Sequence, residues 1–309
     1  MDVVSEVGDK IYMIAHYPEK SIYAFQAFFI DGDRPALIEP GPASFIPKVV
    51  EGLGRLGYDV GCLSYIIPTH IHADHCGGTG HLAQYAPRAR IIAHEKGARH
   101  LVNPAKMMEA TSEYWGEDYE SEIGVSIPVS WERIDVVRGG ESIALGNRTL
   151  SIIHTPGHAR HHICLHDGRS GELFCGESLG YLLEGEEVTL LPIVSPPVFD
   201  LDSQMSTIDR LRRLRPSTLF FSHLGVRHDA SRCIEIAEES DRAWGDLVLR
   251  ALENGEGREQ IKARLTAIVE RLQPGRSGLF SRLVDWAVVG YTGYFIQKGV
   301  VASKAQERG

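Results

Sequence analysis

Residues 69–75 read Thr69-His70-Ile71-His72-Ala73-Asp74-His75, and this run restricts what the chain can fold into more tightly than any other. Three imidazoles and one carboxylate are packed between His70 and His75. The short apolar stretch Leu63 to Ile67 precedes them, and Gly77-Gly78, where a helix can begin, follows. Neutral imidazole nitrogen and carboxylate oxygen are ligands that Zn²⁺, Fe and Mn²⁺ accept. His70 and His72, two apart in an extended loop, can point into one space, and Asp74 and His75 add donors from the turn beyond. Four donors this close crowd a single ion, so the spacing predicts two ions side by side. A plain helix start with Asp74 as its cap gives no reason for the histidines, which repel one another when protonated.

The run resembles the H-x-H-x-D-H signature of the metallo-β-lactamase superfamily, and the resemblance continues in order along the chain. Thr155-Pro156-Gly157-His158 is similar to the next ligand turn of that family. Phe174-Cys175-Gly176-Glu177 falls where the family has Cys-Gly-Asp, and Ser222-His223-Leu224-Gly225 resembles the segment with the last histidine. Glu177 departs from the family pattern. One extra methylene moves its carboxylate by about 1.5 Å, enough to alter metal–metal spacing or the filling of the second site.

The resemblance implies an α/β fold, the four-layer αβ/βα sandwich of the superfamily, with a C-terminal helical appendage. Residues 1–229 would be the catalytic domain and 230–309 the helical region. It also implies His70, His72 and His158 on one metal, Asp74, His75 and His223 on the other, and Glu177 between them. Glu39, in the turn Glu39-Pro40-Gly41-Pro42, and His162, four positions after His158, are expected to support the ligands by hydrogen bonding rather than to bind metal. The cofactor would be two divalent ions, zinc first, with iron and manganese compatible. The implied chemistry is a metal-bound hydroxide cleaving a thioester, ester or lactone of a small acyl substrate, with Asp74 as a proton shuttle. The helical tail is similar, by type of element, to that of thioesterase-like members, the glyoxalase II group among them. Two alternatives stand beside hydrolysis: an iron-dependent sulfur dioxygenase or related oxidoreductase, and a non-catalytic signalling protein that retains the metal site. In flavin-associated diiron members a carboxylate takes the position of His72, and residues 230–309 are not expected to form a flavodoxin-like domain.

A net charge of −9 over 309 residues argues against a nucleic-acid surface, which needs clustered Lys and Arg. The cysteines (Cys62, Cys76, Cys164, Cys175, Cys233) are odd in number and form no C-x-x-C pair, which predicts reduced thiols and a cytoplasmic setting. Cys76 and Cys175 adjoin proposed ligands and are expected to pack. The opening Met1-Asp2-Val3-Val4-Ser5-Glu6 has no basic stretch followed by an apolar core, so no secretory signal is expected.

Apolar spacing predicts a helix over Ser44 to Leu56 ended by Gly57, and strands over Ala24 to Ile30, Ala36 to Glu39, Leu63 to Ile67 and Ile91 to Ala93. The mixed Met, aromatic and acidic stretch from Leu101 to Trp131 reads equally as a lid over a hydrophobic pocket or as helices packed on a sheet. Past His223 the chain reads as helices from Asp229 to Leu252, Glu259 to Leu272 and Leu279 to Gln297. The last is apolar on more than one face and must bury both sides. One side is expected on the sheet domain, the other over the pocket or against a second copy as a homodimer. Its uninterrupted apolar run is too short for a bilayer, so no membrane partner is expected.

Overall fold

The computed structural model describes residues 2–17, 24–116, 119–183, 185 and 187–301. The chain divides into two compact units. The first comprises Met1–His154, His161–Gly176 and Pro216–His228; the second comprises Thr155–Arg160, Glu177–Arg215 and Asp229–Gly309.

The first unit holds two sheets. One is ordered as in the sequence: β1 (Asp2–Gly8), β2 (Ile11–His16), β3 (Phe25–Ile30), β4 (Ala36–Ile38), β5 (Tyr65–Ile67), β6 (Arg90–His94) and β7 (Ile134–Val137). Its first four strands pair antiparallel, and from β4 to β7 the pairing is parallel. Parallel neighbours need crossovers, and helices supply them. They are α1 (Ile46–Arg55), α2 (Ala73–Cys76), α3 (Thr79–Tyr85), α4 (Glu95–Val102), α5 (Ala105–Trp115) and α6 (Tyr119–Glu122). Helix α1 is the one predicted from apolar spacing, and Gly57 ends it with φ +85°. Gly52 lets it lie on β2, because a Cβ there would stand 2.6 Å from the Ile14 side chain.

The second sheet runs β15 (Val226–Arg227), β14 (Thr218–Phe221), β11 (Glu172–Gly176), β10 (Ile163–Asp167), β9 (Thr149–His154) and β8 (Ser142–Ala144). Only β11 and β14 pair in parallel. The core between the sheets is apolar from both sides: Phe28 meets Phe174 and Phe220 edge-on, with ring centroids 5.6 and 5.3 Å apart. This arrangement ends β5 and β14, inside one unit, at the residues that carry chemistry.

Within the stretch from Leu101 to Trp131, whose Glu117 and Asp118 lie outside the described residues, α5 is more regular than its composition suggests. Met107, Thr111 and Trp115 form the buried stripe of α5 at a spacing of four, and the Thr111 hydroxyl is satisfied by the Met107 carbonyl 2.8 Å away. A threonine on the inward face blurs the apolar period.

In the second unit a small hairpin, β12 (Tyr181–Leu182) with β13 (Leu190–Leu191), accompanies α7 (Leu201–Leu214), α8 (Ala230–Glu253), α9 (Arg258–Leu272) and α10 (Ser281–Gln297). The three predicted C-terminal helices are α8, α9 and α10. Helix α10 buries Leu283, Val284, Ala287, Val288, Tyr291, Tyr294 and Phe295 within this chain. Gly290 permits close approach to the 191–200 loop, since a Cβ there would lie 2.1 Å from Val194. Among the described residues no helix is long and apolar enough to cross a membrane.

Candidate metal centre

The parallel pairing of β4 and β5 sets two chain ends side by side, and the site grows from them. Glu39, just past β4, donates its backbone N–H to the Ile67 carbonyl at 3.0 Å. It adopts φ +58°, a left-handed conformation that L side chains resist by about 1–2 kcal/mol. The loops over-determine that strain: Gly41 N–H donates to His75 O, and Gly78 N–H to Gly41 O. The result aims the buried Glu39 carboxylate into the histidine loop. The Thr69 hydroxyl donates to Oε1, and His75 Nδ1–H donates to Oε2 at 2.9 Å.

These bonds fix which nitrogen each ring presents. Thr69, having given its proton to Glu39, accepts from His70 Nδ1 at 3.0 Å, so the His70 lone pair sits on Nε2. That atom lies 2.9 Å from His72 Nδ1. His75, bonded to Glu39 through Nδ1, presents Nε2, which stands 3.4 Å from Asp74 Oδ2. His223 follows β14 and donates Nδ1–H to the Ala24 carbonyl at 2.6 Å, so it also presents Nε2, 3.9 Å from Asp74 Oδ2. In this unit the donor atoms of His70 and His72 lie within 4.8 Å of each other. The same holds for Asp74, His75 and His223 together, and for Glu39, His70 and His75 together. His162 is fully buried, with its ring 5.0 Å from that of His70. Gly176 makes room for it, since a Cβ there would stand 2.5 Å from His162 Nε2.

In the second unit His158 and Glu177 form a pair of their own. His158 donates Nδ1–H to the Ile193 carbonyl at 3.1 Å and turns Nε2 toward Glu177 Oε2, 3.0 Å away. Both side chains are buried. Two donors each about 2.1 Å from one ion, at right angles to each other, stand about 3 Å apart.

The donor set fits divalent first-row metals. It is nitrogen and carboxylate only, and His75, His158 and His223 each donate their other ring N–H to an oxygen, the usual arrangement behind a metal-binding imidazole. The thiols do not join it. Cys76, next to His75, is buried with Sγ 3.4 Å from Met107 Sδ, and burial pushes its thiol well up, away from thiolate. Cys175 Sγ lies 3.2 Å from the Phe220 carbonyl.

Two groups near these residues carried no assignment in the sequence. His161 Nδ1 accepts the Ile71 N–H at 3.3 Å, and its ring lies 6.1 Å from His70 and 5.8 Å from His72. Asp241 on α8 is a buried carboxylate whose burial pushes it up to about 6, with Gln204, Tyr291 and His158 pulling it back. Its position on an apolar helix stripe, between Ala237 and Trp244, is the signal that could have marked it.

The profile of the metallo-beta-lactamase superfamily matches residues 25–223. The chain is 30% identical over 167 residues to the metallo-beta-lactamase fold-containing protein ST1585 of Sulfurisphaera tokodaii, covering 53% of this chain and 61% of that protein. It is 27% identical over 193 residues to a hydroxyacylglutathione hydrolase of a Synechococcus strain, covering 61% and 57%. With the acyl-coenzyme A thioesterase MBLAC2 of Gallus gallus it is 26% identical over 204 residues, covering 54% and 65%. The matched regions thus span less than two thirds of each of these three relatives. Among solved structures, metallo-beta-lactamase family protein TTHA1429 of Thermus thermophilus superposes with a TM-score of 0.71 at 20% identity, over 94% of each chain. By its sequence profile and its fold, this chain belongs to the metallo-beta-lactamase superfamily.

Proposed function

We propose that the chain is a metal-dependent hydrolase acting on a thioester, ester or lactone of a small acyl substrate. In this reading His70, His72 and His158 hold one divalent ion, Asp74, His75 and His223 hold a second, and Glu177 lies between. Zinc is the first choice, with iron and manganese compatible with the same donors. The observation that carries the reading is the set of imidazoles whose outer nitrogens are all tied to oxygen acceptors, leaving the inner ones as lone pairs. The relatives named as a hydroxyacylglutathione hydrolase and an acyl-coenzyme A thioesterase support acyl chemistry over other hydrolysis.

Bound cations of this kind bring the pKa of water toward neutrality and polarise an acyl carbonyl. The rest of the work falls to the chain. Glu39 and Thr69 hold His75 and His70 in one tautomer, so the donors need no rearrangement. Asp74 is less buried than His75 or His223, and in this reading its carboxylate takes a proton from the attacking water and passes it to the leaving group. Glu39 and His162 act as supports. The same reading carries a cytoplasmic setting, no nucleic-acid partner, and pairing of two copies through residues 230–309, which light scattering on the purified protein tests.

Elemental analysis of protein purified without added metal, joined to assays on a panel of thioesters, esters and lactones, tests the function. The expected result is about two ions per chain and turnover of at least one acyl class that is lost on chelation. A metal-loaded sample that cleaves none of the panel sinks the reading.

A further inference from the structure

We propose that Asp241, on α8, is a positioning residue for the His158–Glu177 pair, acting through Gln204, and that it governs how tightly that pair grips a divalent cation. The inference rests on the metal-hydrolase reading above.

Gln204, on α7, is the pivot. Its Nε2 donates one hydrogen to the Ser178 carbonyl and the other to Asp241 Oδ2, both at 3.0 Å. Ser178 directly follows Glu177, so the first bond pins the turn that carries the Glu177 carboxylate. The opposite edge of Gln204 faces the turn before His158: a Cβ on Gly157 would stand 2.3 Å from Gln204 Oε1 and 2.6 Å from its Cα. Two further bonds clamp the same turn to α7, from Asp200 N–H to Gly157 O at 3.2 Å and from the Thr207 hydroxyl to Pro156 O at 2.6 Å. One amide therefore touches the backbone beside both members of the pair.

Asp241 decides where that amide sits. With both hydrogens of Nε2 committed, the Gln204 side chain has one orientation, and Asp241 supplies half of what holds it. Asp241 is held in turn by the Tyr291 hydroxyl, which donates to Oδ1 at 3.0 Å. All three side chains are buried. A buried carboxylate served by two neutral donors is costly, and an apolar residue would fill this place on α8 at no such cost. The carboxylate repays that cost when positive charge lies nearby, and His158 is the basic group whose field reaches it. A cation on the pair adds to that field, so anion and ion stabilise each other through the Gln204 bridge.

The test is competition between a chromogenic chelator and the full-length protein for Zn²⁺, with the visible spectrum of the Co²⁺-loaded form as a second readout. Asp241→Asn keeps the shape but removes the charge and leaves one side-chain acceptor where Gln204 Nε2 and the Tyr291 hydroxyl now find two. It is expected to weaken Zn²⁺ binding about 10- to 100-fold, the usual effect of losing a partner behind the ligands, and to shift the Co²⁺ bands. Gln204→Met, which removes the bridge without adding a charge, is expected to do the same and reads the proposal if Asp241→Asn does not fold. Val248→Ala, a cavity at a buried position about two turns along the same helix from Asp241, is expected to lower thermal stability while leaving Zn²⁺ affinity and the Co²⁺ spectrum unchanged. The proposal is overturned if the folded network variants bind Zn²⁺ as the wild type does, or if Val248→Ala weakens it equally. Wild-type protein that binds no divalent ion overturns the metal-hydrolase reading itself, a different result from intact binding that ignores Asp241.

Discussion

His75 donates its Nδ1 proton to Glu39 Oε2 across 2.9 Å, with both side chains withdrawn from solvent. The contact joins positions 36 apart in sequence. It makes Glu39, which also accepts from the Thr69 hydroxyl, responsible for the orientation of a donor it precedes by a whole helix and strand.

Glu39→Gln is expected to weaken divalent-ion binding about 10- to 100-fold. The amide retains one acceptor but cannot accept from both Thr69 and His75. Equilibrium dialysis against Zn²⁺ measures the loss. Glu39→Gly, which removes the carboxylate but relieves the φ +58° strain, separates the two contributions.

Asp74→Asn is expected to reduce kcat on an acyl substrate by about 10²–10⁴, the range for loss of a general acid–base group, with a smaller change in KM. Steady-state kinetics on protein of matched metal content checks it. An unchanged kcat removes Asp74 from proton transfer.

Removing metal is expected to lower the thermal midpoint, because ion binding to the folded chain alone stabilises it by about 2.7 kcal/mol at a free ion concentration 100-fold over Kd. Scanning calorimetry with and without a chelator reads the shift, and re-addition of the ion should restore it.

His94 provides a pH test away from the metal donors. Burial, and then the stacked His154 ring 4.2 Å away, lower its pKa from 6.5 to about 4. Its Nδ1 accepts the Lys96 N–H at 3.2 Å and must be unprotonated to do so. The unfolded chain binds the proton more readily, so this contribution to stability is complete above pH 6.5 and is lost as pH falls toward 4. His94→Gln is expected to flatten the dependence in that window relative to wild type, as urea titrations at several pH values would show.

Truncation after Asp229 tests whether residues 1–229 fold as a domain. The cut deletes α8, and with it the Asp241 carboxylate that accepts from Gln204 and the Ser240 hydroxyl that donates to Leu190 O at 2.8 Å. Insoluble or molten product is the expected outcome, read by near-UV circular dichroism. A cooperative unfolding transition in the truncated chain would support the simple division at 229.

What the sequence displayed and what it hid follow from the range of the interactions. The His70–His75 run, the apolar period of α1 and the glycine stops are local, so they are visible in a few consecutive residues. The stripe of α5 was obscured by Thr111, whose hydroxyl is satisfied inside the helix. The turn at Glu39 was legible because it resembles a family feature, but its left-handed backbone was not. The Asp241–Gln204–Ser178 chain joins residues far apart in sequence and has no local pattern beyond one acid on an apolar stripe. Nor does the sequence show that 155–160 and 177–215 belong with the C-terminal helices, because packing partners rather than composition determine that grouping.

The hydrogen bond from His223 to the Ala24 carbonyl closes a loop of 199 positions. During synthesis the His70–His75 cluster leaves the ribosome long before His223 exists, so a nascent chain displays an incomplete set of donors for much of its elongation. Closure over such a span is entropically late and slow. If the proposed centre holds metal, its full loading is coupled to completion of the second sheet, and chains stalled before β14 would be left with half-built, weakly chelating sites.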